Sequence, residues 1–175
     1  PFAAYIFVAL ICGIIQMKYQ DEKELLEKEN NLKSICTLAL SGNNNWLYAF
    51  GYDTRRGYSY KVDRNDKSLL YGQEFFYIHL PDQCDGAEVT SAVCDDYGRT
   101  YLATASGIQV CDYNGRSEAI LPLPGNAKPV SIAWGEEAMN VLYILCDNGN
   151  IYKRELNTKG TSLNAPMPII RVGAG

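Results

Sequence analysis

The chain has one histidine and no pair of cysteines at C-x-x-C spacing. A structural zinc set therefore lacks its usual ligands. There is no Gly-rich phosphate loop, no nucleophile elbow and no H-E-x-x-H helix, which removes the nucleotide, α/β-hydrolase and zincin readings. Basic residues are not in surplus: the net charge is −4, so nothing neutralises a phosphate backbone, and nucleic acid is not expected as a partner. The longest uncharged apolar run, 2–15, is shorter than the roughly 20 residues a membrane-spanning helix needs. What is abundant is tyrosine, at 13 residues, and glycine, at 15. Tyrosine suits half-buried strands and glycine suits tight turns, so the composition leans towards β.

Two unlike parts follow one another. Residues 1–33 hold the apolar run "FAAYIFVALICGII" and then "KYQDEKELLEKENNLK", rich in Glu and Lys. The charged stretch predicts a solvated helix over 19–30, with a thin stripe from Leu25 and Leu26. The apolar run has the length of a signal-peptide core. A signal or membrane anchor and a buried strand or helix both remain open. The first implies membrane contact through residues 2–15 and a secreted, periplasmic or membrane-anchored protein.

From Ser34 the text becomes short strands divided by turns, and it repeats. Segments 45–66, 98–115 and 140–160 share one shape: an apolar strand with an early Tyr (Tyr48, Tyr101, Tyr143), a turn with Gly (Gly57, Gly107, Gly149) and a second strand. The tyrosines are 53 and 42 residues apart. Before each comes another short apolar strand, 34–41, 89–95 and 130–135, expected to be innermost. After two of the hairpins comes a fourth, 74–81 and 117–124. Four short strands at periods near 40–50 residues predict propeller blades. Residues 34–175 are thus read as an all-β, partial propeller of about three blades, the last without a clear outer strand. Unpaired blade edges invite pairing with other chains.

"GRTYLATASGIQVCDYNGR…ILPLP" and "PVSIAWGEEAMNVLYILCDNGNIYKRELNTKG" resemble the senescence-marker-protein (regucalcin) / gluconolactonase / luciferin-regenerating-enzyme-like family. The matching features are Gly98 to Gly115, Ala133–Trp134–Gly135, Leu142–Tyr143 and Lys159–Gly160, over about residues 34–171. The resemblance implies a six-bladed propeller, of which this chain is similar to blades four to six. It also implies lactone or ester hydrolysis assisted by a divalent cation, Ca²⁺ or Zn²⁺, with a small lactone or sugar-like ligand. The family's ligands are a Glu in the first blade, an Asn and an Asp. Counted onto this chain, the Asn-Gly position holds Cys36 and Thr37, and the Asp-Gly position holds Thr90 and Ser91. Asp85, in "CDG", is the Asp that a gap of about five residues would bring to the missing Asp's position, as a metal ligand or catalytic group. The implied activity is therefore expected to be degenerate or incomplete, with a non-catalytic binding module as the alternative.

The remaining chemistry-bearing residues have plain readings. His79, in "FFYIHLP", is placed on an outer strand as a structural or surface residue. Asp63, Asp66, Asp95 and Asp96 fall in turns without the twelve-residue calcium-loop pattern. The scattered cysteines read as small hydrophobes of strands.

Overall fold

The computed structural model describes residues 35–66, 68–80, 82, 84 and 86–161. The chain divides into two units, 1–33 and 34–175. The expected N-terminal helix and apolar run, Asp85, and the tail after Thr161 lie outside the described residues. Among the described residues, the second unit is all β apart from one 3-10 turn at Pro124–Asn126. Among the described residues no helix is long and apolar enough to cross a membrane.

Eleven strands of the described residues form three antiparallel sheets. The first holds β1 (Ile35–Leu40), β2 (Trp46–Gly51), β3 (Arg56–Val62) and β4 (Leu69–Tyr77) in sequential order. The second holds β5 (Ser91–Cys94), β6 (Thr100–Thr104), β7 (Gly107–Cys111) and β8 (Ser117–Leu121). The third has β9 (Pro129–Gly135), β10 (Val141–Cys146) and β11 (Ile151–Glu155). Each is a meander whose first strand is an edge, and these edges meet: β1 lies against β5, and β5 against β9. That is the arrangement of propeller blades around an axis, with the innermost strands those expected from the repeat. The third blade has three strands among the described residues, so β11 has no partner on its outer side there.

Turn chemistry sets the hairpins. Asp112 accepts from the amides of Asn114 and Arg116, and Gly115 takes a positive φ of 77°. At Gly115 a Cβ would also collide with the Phe75 carbonyl oxygen, so only glycine allows the first blade to approach this turn. The acidic 63–66 turn is likewise closed by its own side chains, Asp63 accepting from Asn65 and Asp66 from Ser68.

The core lies between blades, because each sheet turns an apolar face to its neighbour. Tyr48, Phe50, Phe76, Ala92, Cys94 and Leu102 fill the space between the first and second blades. Tyr101, Ile108, Val110, Ile132, Leu142 and Ile144 fill that between the second and third. Phe50, Leu102, Ile108 and Leu142 are fully buried, each stabilising by roughly 1.5–3 kcal/mol against exposure. Two glycine–aromatic contacts explain part of the family-like text. Trp134 lies over Gly160, where a Cβ would run into the indole ring. Tyr143 lies over Gly135 in the same way, its ring 2.7 Å from where a Cβ would stand.

Two strand expectations need correction. The outer strand of the first blade begins at Leu69, five residues earlier than read, because β3 and β4 pair through two register shifts that lengthen the hairpin. It ends at Tyr77, so His79 lies beyond the strand. His79 is exposed, its backbone N–H donates to the buried Gln109 side chain, and its ring meets the edge of Tyr77. The cysteine reading holds for Cys94, Cys111 and Cys146, which are buried, whereas Cys36 is exposed and Cys84 half-buried; all five are free thiols.

Candidate functional site

The inner strands begin at one end of the blades, and there the two substituted family positions sit. Cys36 is the second residue of β1. Its Sγ lies 2.6 Å from the Val89 carbonyl oxygen and 3.4 Å from that of Phe50. Thr90 directly precedes β5, and its hydroxyl donates to the Pro129 carbonyl at 3.0 Å. The two contacts are equivalent. Val89 leads into the second blade's inner strand as Pro129 leads into the third's. Each side chain therefore ties its blade to the next. Ser91, beside Thr90, adds a second tie by accepting from the Ile132 amide at 3.2 Å.

A cleft of about 220 Å³ opens beside Thr90, lined among others by Tyr52, Glu88, Lys128, Val130 and Asp147. Glu88 sits two residues before Thr90, and Lys128 sits two before Val130, which places them at the same point of successive repeats. They form an ion pair at 2.9 Å. The Glu88 hydrogen bond and charge hold the Lys128 ammonium above its usual pKa. Glu88 adopts a positive φ of 48°, a costly conformation for a non-glycine residue, and its amide donates to the Tyr52 carbonyl. Asp147, in the β10–β11 turn, accepts from the Lys128 amide at 3.1 Å and returns its own amide to the Lys128 carbonyl.

Sequence reading did not find Glu88, Lys128 or Asp147. They belong to no motif. The available signal was the repeat itself, which sets opposite charges at one offset of adjacent blades. The expected Cys36 and Thr90 stand at neighbouring inner-strand starts. Asp85 lies outside the described residues. His79 is not among the residues lining the cleft.

The SMP-30/Gluconolactonase/LRE-like region model matches residues 13–147. The chain belongs to the SMP-30/gluconolactonase/LRE-like family. Three solved structures share its fold. A luciferin-regenerating enzyme superposes with a TM-score of 0.62 at 18% identity, covering 74% of this chain and 48% of that one. A calcium-binding regucalcin from Agrobacterium tumefaciens gives 0.59 at 14% identity, over 74% and 47%. A gluconolactonase from Xanthomonas campestris gives 0.51 at 22% identity, over 70% and 37%. The chain spans less than half the length of each. No curated protein matches the sequence.

The donor set does not fit a hard divalent cation. Such ions take several oxygen ligands, carboxylates foremost. Cys36 is a soft donor that ligates as thiolate; although the residue is exposed, its thiol sits against the Val89 and Phe50 carbonyls, and this partial desolvation pushes its pKa up, with the Asp53 charge adding to the rise. The Thr90 hydroxyl is neutral, and its proton is committed to Pro129. Glu88 already holds a cation, the Lys128 ammonium. Among the described residues no group of three His, Cys, Asp or Glu side chains converges as a metal site.

Proposed function

We propose that this chain supplies blades of a gluconolactonase-like propeller whose metal-assisted lactone- or ester-hydrolysing centre is degenerate on this half. The observation that carries the reading is the pair of inter-blade ties from Cys36 and Thr90. Metal-assisted hydrolysis needs a cation held firmly by oxygens, to polarise the carbonyl and acidify a water, and a carboxylate to manage the proton. Here the two positions serve blade packing. Exchanging a carboxylate for Thr90 also removes a full negative charge from beside a dication. With Glu88 paired to Lys128, Asp85 is a further carboxylate near in sequence. Five residues of extended chain span roughly 16 Å, so it reaches the position only through a folded-back loop.

The alternative, a propeller that binds a small lactone or sugar-like ligand without turning it over, is favoured by the polar cleft at Glu88 and Lys128. Contact of residues 2–15 with a membrane belongs to the same proposal and is tested by fractionation of the expressed chain. The test of the main reading is hydrolysis of glucono-δ-lactone with added Ca²⁺, Mn²⁺ or Zn²⁺. The expected result is no turnover above the buffer rate. Metal-dependent turnover that disappears in Asp85→Ala overturns it.

A further inference from the structure

The third blade turns one face to the second blade and leaves the other bare. We propose that this far face is a homodimer interface: a second copy of the chain packs its own third blade against it, across a two-fold axis running along the strands. The proposal holds whatever the state of the metal centre.

Strand pairing says which residues lie on that face. Leu142, Ile144 and Cys146 belong to the core shared with the second blade. Successive side chains of a strand point to opposite faces, so Val141, Tyr143 and Leu145 of β10 point the other way. Their cross-strand partners share their side: Gly135, Ala133 and Ser131 on β9, and Glu155, Lys153 and Ile151 on β11. A sheet face that meets water is ordinarily polar. Here only Ser131, Lys153 and Glu155 are. Leu145 is 39% exposed and Ile151 68%, and Ala133 is exposed beside them. Tyr143 donates its phenol proton to Glu136, and its ring lies over Gly135, so it offers a flat aromatic surface rather than a free polar group.

The far face of the first blade differs. Leu47 and Ala49, with their cross-strand partners Tyr60 and Tyr58, are all buried. Among the described residues the third blade therefore carries the bare apolar face, and a second copy has only the equivalent face to offer. Such a contact is isologous, the same patch on both subunits.

Charge selects the orientation. A two-fold axis across the strands sets Lys153 over the partner's Lys153. An axis along β10 sets Tyr143 and Leu145 over the partner's Tyr143 and the partner's Leu145. It also sets Ile151 over the partner's Ser131 and Lys153 over the partner's Ala133. No like charges meet, and Lys153 and Glu155 cancel within the face. Sheets packed with their strands aligned within about 30° are a common arrangement. Three strands at about 4.8 Å spacing and five residues at about 3.4 Å make a face of roughly 14 by 17 Å. That is less than the roughly 800 Å² per partner of a standard interface, so the dimer belongs to the weak, concentration-dependent class.

The test is sedimentation velocity on the full chain. The average mass should rise from one chain towards two between about 5 and 500 μM. Ile151→Asp and Leu145→Asp should each weaken self-association about tenfold or more. Ile151→Lys replaces either if circular dichroism shows it unfolded. Ile120→Asp, at an exposed apolar residue of β8 outside the face, should leave association unchanged. Lys153→Ala should do the same, and a tighter dimer in that variant overturns the axis along the strands. A parent chain that stays monomeric throughout overturns the proposal. So does association that the Ile151 and Leu145 substitutions leave intact, as association through residues 2–15 would be.

Discussion

Asp95 is fully buried, and its carboxylate joins the second blade to the chain that leaves the third. It accepts from the amides of Tyr97 and Arg99, from Arg99 Nε at 2.7 Å, from the Tyr101 phenol at 3.3 Å and from the Thr158 hydroxyl at 2.9 Å. Its backbone bridges to Gly160. Asp95→Ala strands these donors. Removing one partner of a buried ion pair costs about 3–5 kcal/mol. The Arg99 side chain is 32% exposed and can turn to water, and Thr158 keeps Asp96 as a partner. The expected loss is therefore about 3 kcal/mol. With a urea slope of about 2 kcal/mol/M, the unfolding midpoint should fall by about 1.5 M. Asp112 is the matched control. It closes the same kind of turn by accepting from Asn114 and Arg116, but both bonds are exposed. Asp112→Ala should cost about 1 kcal/mol. Urea unfolding of both variants decides the matter. Equal losses would refute the view that burial and inter-blade bonding make Asp95 the stronger tie.

Gly160→Ala drives a methyl into the Trp134 ring; about 2 kcal/mol of overpacking strain should lower Tm by on the order of 5 °C. Alkaline stability should also fall in a defined window. Burial pushes Tyr48, Tyr60 and Tyr101 up to about 12, the Asp95 charge adding to the last, and burial pushes Cys94 to about 12 and Cys111 to about 11. The folded state thus holds these protons more tightly than the unfolded chain. Their contribution is fully present below the ordinary thiol and phenol values of 9.0 and 10.0 and is lost as pH rises towards about 11 to 12. Denaturant midpoints measured from about pH 8 to 12 should fall over that interval, and a flat profile would contradict the burial of these groups.

The blade pattern was legible because it is local. The strand from Thr100 to Thr104, the Gly107 turn and the returning strand follow from short apolar runs set between turn residues within a dozen positions. The third blade's three strands were legible for the same reason. The start of β4 was not, because "SLLYGQ" carries a glycine and exposed polar residues, and its strand state comes from pairing with β3. At the site, sequence comparison marked Cys36 and Thr90 as departures from the family. It did not show what they do, since the Val89 and Pro129 carbonyls that accept from them belong to other blades. Glu88 and Lys128 are 40 residues apart, and their pairing becomes visible only when the inner strands are set side by side.

The most direct test of the inter-blade role is urea unfolding of Thr90→Val beside the parent chain, each with and without calcium. Val keeps the shape, removes the hydroxyl and leaves the Pro129 carbonyl without that donor. A loss of about 1–2 kcal/mol is expected, with calcium shifting neither midpoint. A parent midpoint that rises with calcium by linkage, and a rise that vanishes in Thr90→Val without any loss of stability in EDTA, would show Thr90 to be a metal ligand and contradict the account.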